Sequence, residues 1–181
     1  AFVASPGKVF VAVDAGQIEM RELADLSQDG PLLETYRTGG DVHLETAINV
    51  LGAPPEKAKD DWYRLPSKRV NFGIAYLIGG HGLHVQLEQE VPGRYTQKQC
   101  EQYILDWYRK HPEARLGQLH TAAECRRIGE VRDRWGYRRL VYGAMSPDEQ
   151  TRAAAEREGV NFPVSSGAVG LIKVWMGQTW E

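Results

Sequence analysis

The chain has 181 residues, 42% of them hydrophobic and 25% charged, which makes one ordinary domain or a large piece of a bigger one and excludes a disordered tail. No apolar run reaches the ~18 residues that a membrane-spanning helix needs. The net charge of −2, from 22 Lys+Arg against 24 Asp+Glu, excludes a generic polyanion binder.

The elements follow in chain order. Residues 8–13 form a β-rich apolar run, apolar on both faces, so the expectation is a buried central strand ending at Asp14-Ala15-Gly16. Residues 17–26 have helical periodicity. Residues 31–37 predict a short helix stopped by Gly39-Gly40, and Asp41 caps the next, through Leu51. A polar connection at 57–61 follows. Pro66 suits the first turn of a helix reaching about Ile78, ended by Gly79-Gly80. Thr96 and Gln99 form a capping box for a helix to about Lys110. Pro112 breaks it, and another helix runs from about Glu113 to Ile128. Residues 129–142 are strand-prone around Gly136 and predict a hairpin or extended loop. Ser146-Pro147-Asp148-Glu149 starts a helix that ends near Gly159, and a last helix runs from about Ser165 to Met176. The fold class expected is α+β, mostly helical.

Two cysteines without CxxC spacing, Cys100 and Cys125, exclude a disulfide scaffold, speak against zinc and fit a reducing compartment. The charge is uneven. Residues 126–139 hold six arginines, among them Arg138 and Arg139, with Trp and Tyr interleaved. Arginine forks grip phosphates and aromatics stack on bases, so the run is a candidate DNA surface. On its own such a run is more often a solvated face. Arg64, Lys68 and Arg69 form a second basic cluster.

Between these patches lies the informative stretch, residues 64–76. Lys68, Phe72 and Tyr76 are spaced i, i+4, i+8 and share one helix face, drifting ~40° per step. That face offers a cation, a flat ring and a phenol in line, as a nucleoside triphosphate presents polyphosphate, sugar and base. A helix with core aromatics and a surface lysine has the same spacing.

Lys68-x-x-Asn71-Phe72-Gly73-x-x-Tyr76 resembles the fingers-helix motif of family A DNA polymerases. Residues 13–21, VDAGQIEMR, resemble that family's first palm motif. Residues 40–47, GDVHLETA, match the segment between the two, and Asn161-Phe162-Pro163-Val164 with Ala168 resembles the palm helix beyond the fingers. The resemblance covers essentially the whole chain. It implies a palm part at 1–30 carrying the metal-binding Asp on its buried strand, fingers at 31–150 and a return to the palm at 151–181.

What it implies for each residue is as follows. Asp14 holds two catalytic Mg ions, and Ala15 lends its carbonyl to one of them, beside the nucleotide. Glu19 is the steric gate against ribose. Lys68 meets the triphosphate and donates a proton to pyrophosphate. Arg64 and His43 contact the γ- and β-phosphates. Phe72 packs on sugar and base, and Tyr76 stacks at the templating position. Arg157 and Asn161 face the primer-template. The implied partners are primer-template DNA and dNTPs, with no membrane, acting as a monomer in the cytoplasm of a bacterium or a phage-infected cell, with an organelle as the alternative.

The chain departs from the family pattern at Ala15-Gly16, where Tyr-Ser is usual, at Pro66 inside the fingers helix, at Leu77 in place of Gly, and at Ser165-Ser166 in place of Gln-Gly. It also lacks the second metal-binding carboxylate. Together with Ala at position 1, that predicts a fragment of a longer polymerase, inactive by itself. The competing readings are a single-subunit RNA polymerase, which Glu19 argues against, and a non-catalytic nucleic-acid-binding module with a decayed site.

Overall fold

The computed structural model describes residues 3–179, so the outermost residues of the bounds at 1 and 181 lie outside it. The described residues form α1 (Ile18–Ser27), α2 (Gly30–Arg37), α3 (Val42–Asn49), α4 (Asp61–Ala75), α5 (Gly80–Glu90), α6 (Gln97–Lys110), α7 (Pro112–Ile128) and α8 (Glu149–Thr179). A 3-10 turn at Pro55–Lys57 precedes α4. Strands β1 (Glu130–Arg132) and β2 (Arg138–Leu140) pair antiparallel, Val131 opposite Arg139. This is the mostly helical fold expected, with the predicted hairpin turning through Gly136 at φ 84°. None of the described helices is long and apolar enough to cross a membrane.

Capping residues set several boundaries. The Asp41 carboxylate accepts from the His43 and Leu44 N–H groups at 2.9 and 3.3 Å and opens α3. Thr96 and Gln99 close a reciprocal capping box on α6. Asp29 opens α2, accepting from the Leu32 N–H at 3.0 Å. The main core joins α1 through α7 and Val164 of α8, with Trp107, Met20, Leu32 and Ile74 fully buried. Each such side chain contributes roughly 1.5–3 kcal/mol of burial.

Four expectations are corrected. Residues 8–13 are not a buried strand. They have no regular structure or strand partner among the described residues, and Val9 and Val11 are 83% and 79% exposed. An apolar pattern on both faces states what the segment needs around it; pairing has to come from a neighbouring strand. The helix expected to reach about Ile78 stops at Ala75, and the stretch after Gly79, given no element above, is helix α5; Gly80 opens it where a Cβ would stand 2.1 Å from Glu101 Cγ. The two helices expected after residue 146 are one. A Cβ on Gly159 would meet Cys125 Sγ at 2.7 Å, so this glycine lets α7 and α8 approach without ending the helix. Asp148, rather than Ser146, supplies the first-turn cap, accepting from the Thr151 N–H at 2.8 Å. Last, α4 begins at Asp61, so Pro66 lies inside it and Arg64 belongs to the helix. An interior proline costs a helix about 3 kcal/mol.

Candidate nucleotide and nucleic-acid site

The site grows where the start of α1, the start of α3 and the exposed face of α4 meet. Asp14 is exposed and precedes a turn at Gly16-Gln17, with Gln17 left-handed at φ 60°. The turn is fastened on three sides. The Ile18 N–H donates to the Ala15 carbonyl at 3.2 Å, Arg21 Nε donates to the Gly16 carbonyl at 3.0 Å, and Gln17 Nε2 donates to Asp41 Oδ1 at 3.0 Å.

Asp41 is a hub. The carboxylate that caps α3 and accepts from Gln17 also pairs with Arg64 of α4, 2.7 Å away. Burial alone would raise its carboxyl. The Arg64 guanidinium and the two cap N–H groups outweigh that and hold it below the ordinary carboxylate range. One side chain thereby fixes the segment after Asp14 and the first turns of α3 and α4 relative to each other.

His43 is buried and its ring lies 5.6 Å from that of Phe72. Burial pushes its imidazole down to about 4; Asp41 opposes the shift, and the neighbouring Arg64 and Lys68 cations add to it. The ring is neutral at pH 7. Its Nδ1 stands 2.9 Å from Asn71 Nδ2 and accepts from that amide, so Nε2 carries the hydrogen. Toward a phosphate, His43 is a neutral donor beside two cations.

The α4 face is placed as its periodicity expects. Lys68 and Phe72 are half-buried and Tyr76 is 38% exposed; Phe72 and Tyr76 lie outside the hydrophobic core. Lys68 has no ion-pair partner among the described residues. The Tyr76 hydroxyl donates to Glu19 Oε1 of α1 at 2.8 Å, and burial together with that carboxylate pushes its pKa up to about 12. Tyr76 is therefore a phenol at all ordinary pH. Glu19, Phe72, Tyr76, His43, Arg64 and Lys68 are brought together.

Asn71, quoted in the motif but given no role, is the buried joint beneath this face. It accepts from Thr46 Oγ1 at 3.0 Å and from the Trp107 indole N–H at 2.7 Å, and donates to the Val42 carbonyl at 3.4 Å. Leu77 ends α4 in the left-handed region at φ 53°. The Ile78 N–H reaches back to the Gly73 carbonyl at 2.8 Å and the Leu77 N–H to the Ile74 carbonyl at 3.0 Å, a Schellman closure normally built on glycine. Gln118 of α7 adds a third clamp, donating to the same Ile74 carbonyl at 2.8 Å.

The basic run is less free than its sequence suggests. Each of its six arginines meets a carboxylate: Arg126 with Glu156, Arg127 with Glu124, Arg132 and Arg138 with Glu130, Arg134 with Glu22 and Asp25, and Arg139 with Glu158. Arg157 on α8 is exposed with no ion-pair partner among the described residues, and Asn161 keeps a buried Oδ1 without a hydrogen-bond partner. A separate groove of about 860 Å³, away from the Lys68 face, lies between the end of α4, α6, α7 and the first half of α8.

A metal finds little here. No three His, Cys, Asp or Glu side chains converge among the described residues. Asp14 and the Ala15 carbonyl, which already accepts a hydrogen bond, make too small a set to cage two Mg ions that prefer near-octahedral oxygen coordination.

The family model for DNA polymerase family A matches residues 1–181. The chain belongs to that family, as its motifs indicate. The thermostable DNA polymerase I of Thermus aquaticus is 37% identical over 176 residues, covering 97% of this chain and 20% of that protein. DNA polymerase I of Pseudomonas aeruginosa is 33% identical over 173 residues, covering 96% of this chain and 18% of that protein. Among solved structures, the POL domain of Pol1 from M. smegmatis, in complex with DNA primer-template and dNTP, superposes with a TM-score of 0.78 at 28% identity. That match covers 89% of this chain and 27% of the M. smegmatis chain. The chain thus spans about a fifth of the length of the curated relatives it matches.

Proposed function

We propose that this chain forms the fingers, residues 31–150, and adjoining parts of the palm, residues 1–30 and 151–181, of a template-directed DNA polymerase. In this reading the exposed face of α4 holds the incoming dNTP. The observation that carries it is the hydrogen bond from Tyr76 to Glu19, which closes the far end of a face whose near end is Arg64 and Lys68. Cations at one end suit the polyphosphate, with the neutral His43 donating beside them. The half-buried Phe72 ring suits the sugar and base. Glu19 already accepts from Tyr76 and is held at the end of the face, so a ribose 2′-hydroxyl meets a fixed carboxylate, and ribonucleotides are rejected. Arg64 reaches phosphate by exchanging one anion, Asp41, for another.

Asp14 and Ala15 are this chain's contribution to the divalent ions, which supply charge neutralisation on the reacting phosphates when bound. Primer-template DNA lies along Arg157 and Asn161 of α8, with the hairpin arginines Arg138 and Arg139 beside it, and the protein acts as a monomer. Primer extension by the complete polymerase tests the reading. Lys68→Ala is expected to lower dNTP use about tenfold or more, the scale of one charge-assisted phosphate contact, while primer-template affinity barely changes. Equal loss of both contradicts it.

A further inference from the structure

Pro66 has no N–H for the carbonyl four residues earlier, that of Trp62, and its ring crowds that carbonyl outward. The Trp62 carbonyl accepts from Nη1 of Arg94 instead, which reaches it from the connection between α5 and α6. The Arg94 guanidinium also lies on the Trp62 indole, 3.6 Å from its ring centroid, and is 4.7 Å from that of Tyr95 and 5.6 Å from that of Tyr63. A planar guanidinium can stack with its face and donate with its edge at once; a lysine ammonium cannot. Trp62 is 59% exposed, so core packing does not explain the contact. Arg64 stands in the same helical turn, and its own carbonyl accepts from Ser67 Oγ at 2.8 Å.

We infer that Arg94 is a positioning residue for the nucleotide-binding helix. It replaces the hydrogen bond that Pro66 deletes and keeps the first turns of α4, with Arg64, in line with Lys68, Phe72 and Tyr76. Its bearing on nucleotide rests on the function proposed above; its bearing on the helix does not.

A double-mutant cycle on the full chain, read by amide hydrogen exchange at Leu65, Ser67 and Lys68, tests this. With Pro66 present, Arg94→Met is expected to speed exchange about tenfold, the scale of one hydrogen bond to a charged group. With Pro66→Ala, which restores the missing N–H, the same change is expected to speed it less than about twofold. Equal effects in both backgrounds, or none in either, overturn the inference. If Arg94→Met alone unfolds the chain, Pro66→Ala/Arg94→Met decides: regained helical circular dichroism supports the inference and continued loss overturns it. Equilibrium binding of dCTP to the same four proteins separates the two readings. Binding that weakens in Arg94→Met and returns in the double variant supports both. An exchange cycle that couples as expected in a chain that binds no dCTP leaves Arg94's role standing and removes the nucleotide reading. Bound dCTP with an uncoupled cycle does the reverse.

Discussion

Leu77 is the residue at which local chemistry and position disagree most. A left-handed backbone costs an L-residue other than Gly, Asn or Asp roughly 1–2 kcal/mol, and here a γ-branched leucine bears it, at the closure next to Tyr76. The closure persists because three other contacts fix it: the Ile78 and Leu77 N–H bonds and the Gln118 clamp on Ile74. Leu77→Gly is therefore expected to raise unfolding stability by about 1 kcal/mol, read from the denaturant midpoint. An unchanged or lower midpoint contradicts the strain assigned to Leu77. The sequence marked this position only as a departure from the family pattern. Its conformation was not legible there, since left-handed leucine is a consequence of where α4 must stop.

At the scale of elements, a half-buried ion pair joins α1 to the turn of the β1–β2 hairpin. Glu22 is 2% exposed, pairs with Arg134 at 3.1 Å and keeps Oε1 without a hydrogen-bond partner. A Cβ on Gly167 of α8 would stand 2.2 Å from that same oxygen, so α8 closes over it. The hairpin turn is tied to α8 as well, with the Ser166 hydroxyl donating to Asp133 Oδ2 at 2.5 Å and the Trp135 indole N–H to the Gly167 carbonyl at 3.0 Å. Burial raises the Glu22 carboxyl; Arg134 opposes this, while Asp25 and Asp133 add to it. A raised carboxyl favours the folded state while protonated. That stabilisation is complete below the ordinary glutamate value and fades as pH climbs through the folded one. Glu22→Gln resembles the protonated form, so its melting temperature relative to wild type is expected to rise from acid toward neutral pH. A difference that is flat or falls over that range contradicts the burial argument.

The elements also show what a sequence can and cannot convey. The α6 capping box and the Asp41 cap were legible because donor and acceptor lie within three residues. Residues 8–13 misled because hydrophobicity does not name a strand partner. Gly159 misled because a glycine that admits Cys125 has the same letter as one that ends a helix.

Across the whole molecule, the shared exposed face of Lys68, Phe72 and Tyr76, here proposed to take nucleotide, was legible because helical periodicity alone places the three together. The residues that hold this face were not. Asn71 meets Thr46 and Trp107, 25 and 36 positions away, and Arg94 meets Trp62 across 32. The arginine-rich segment read as a cationic patch in part because the carboxylates that meet Arg126, Arg134 and Arg139, namely Glu156, Glu22 with Asp25, and Glu158, lie on α8 and α1. Exposed pairs of this kind contribute about 0–1 kcal/mol each, so a DNA phosphate can displace them, but they are not idle charges.

Backbone amide shifts of the full chain, titrated with dCTP, read the placement of nucleotide on α4 directly. Saturable shifts are expected at Lys68, Phe72, Tyr76 and Glu19, with weaker binding when CTP replaces dCTP. Shifts centred instead on the groove between α6 and α7, or equal affinity for the two nucleotides with Glu19 unmoved, would contradict the account.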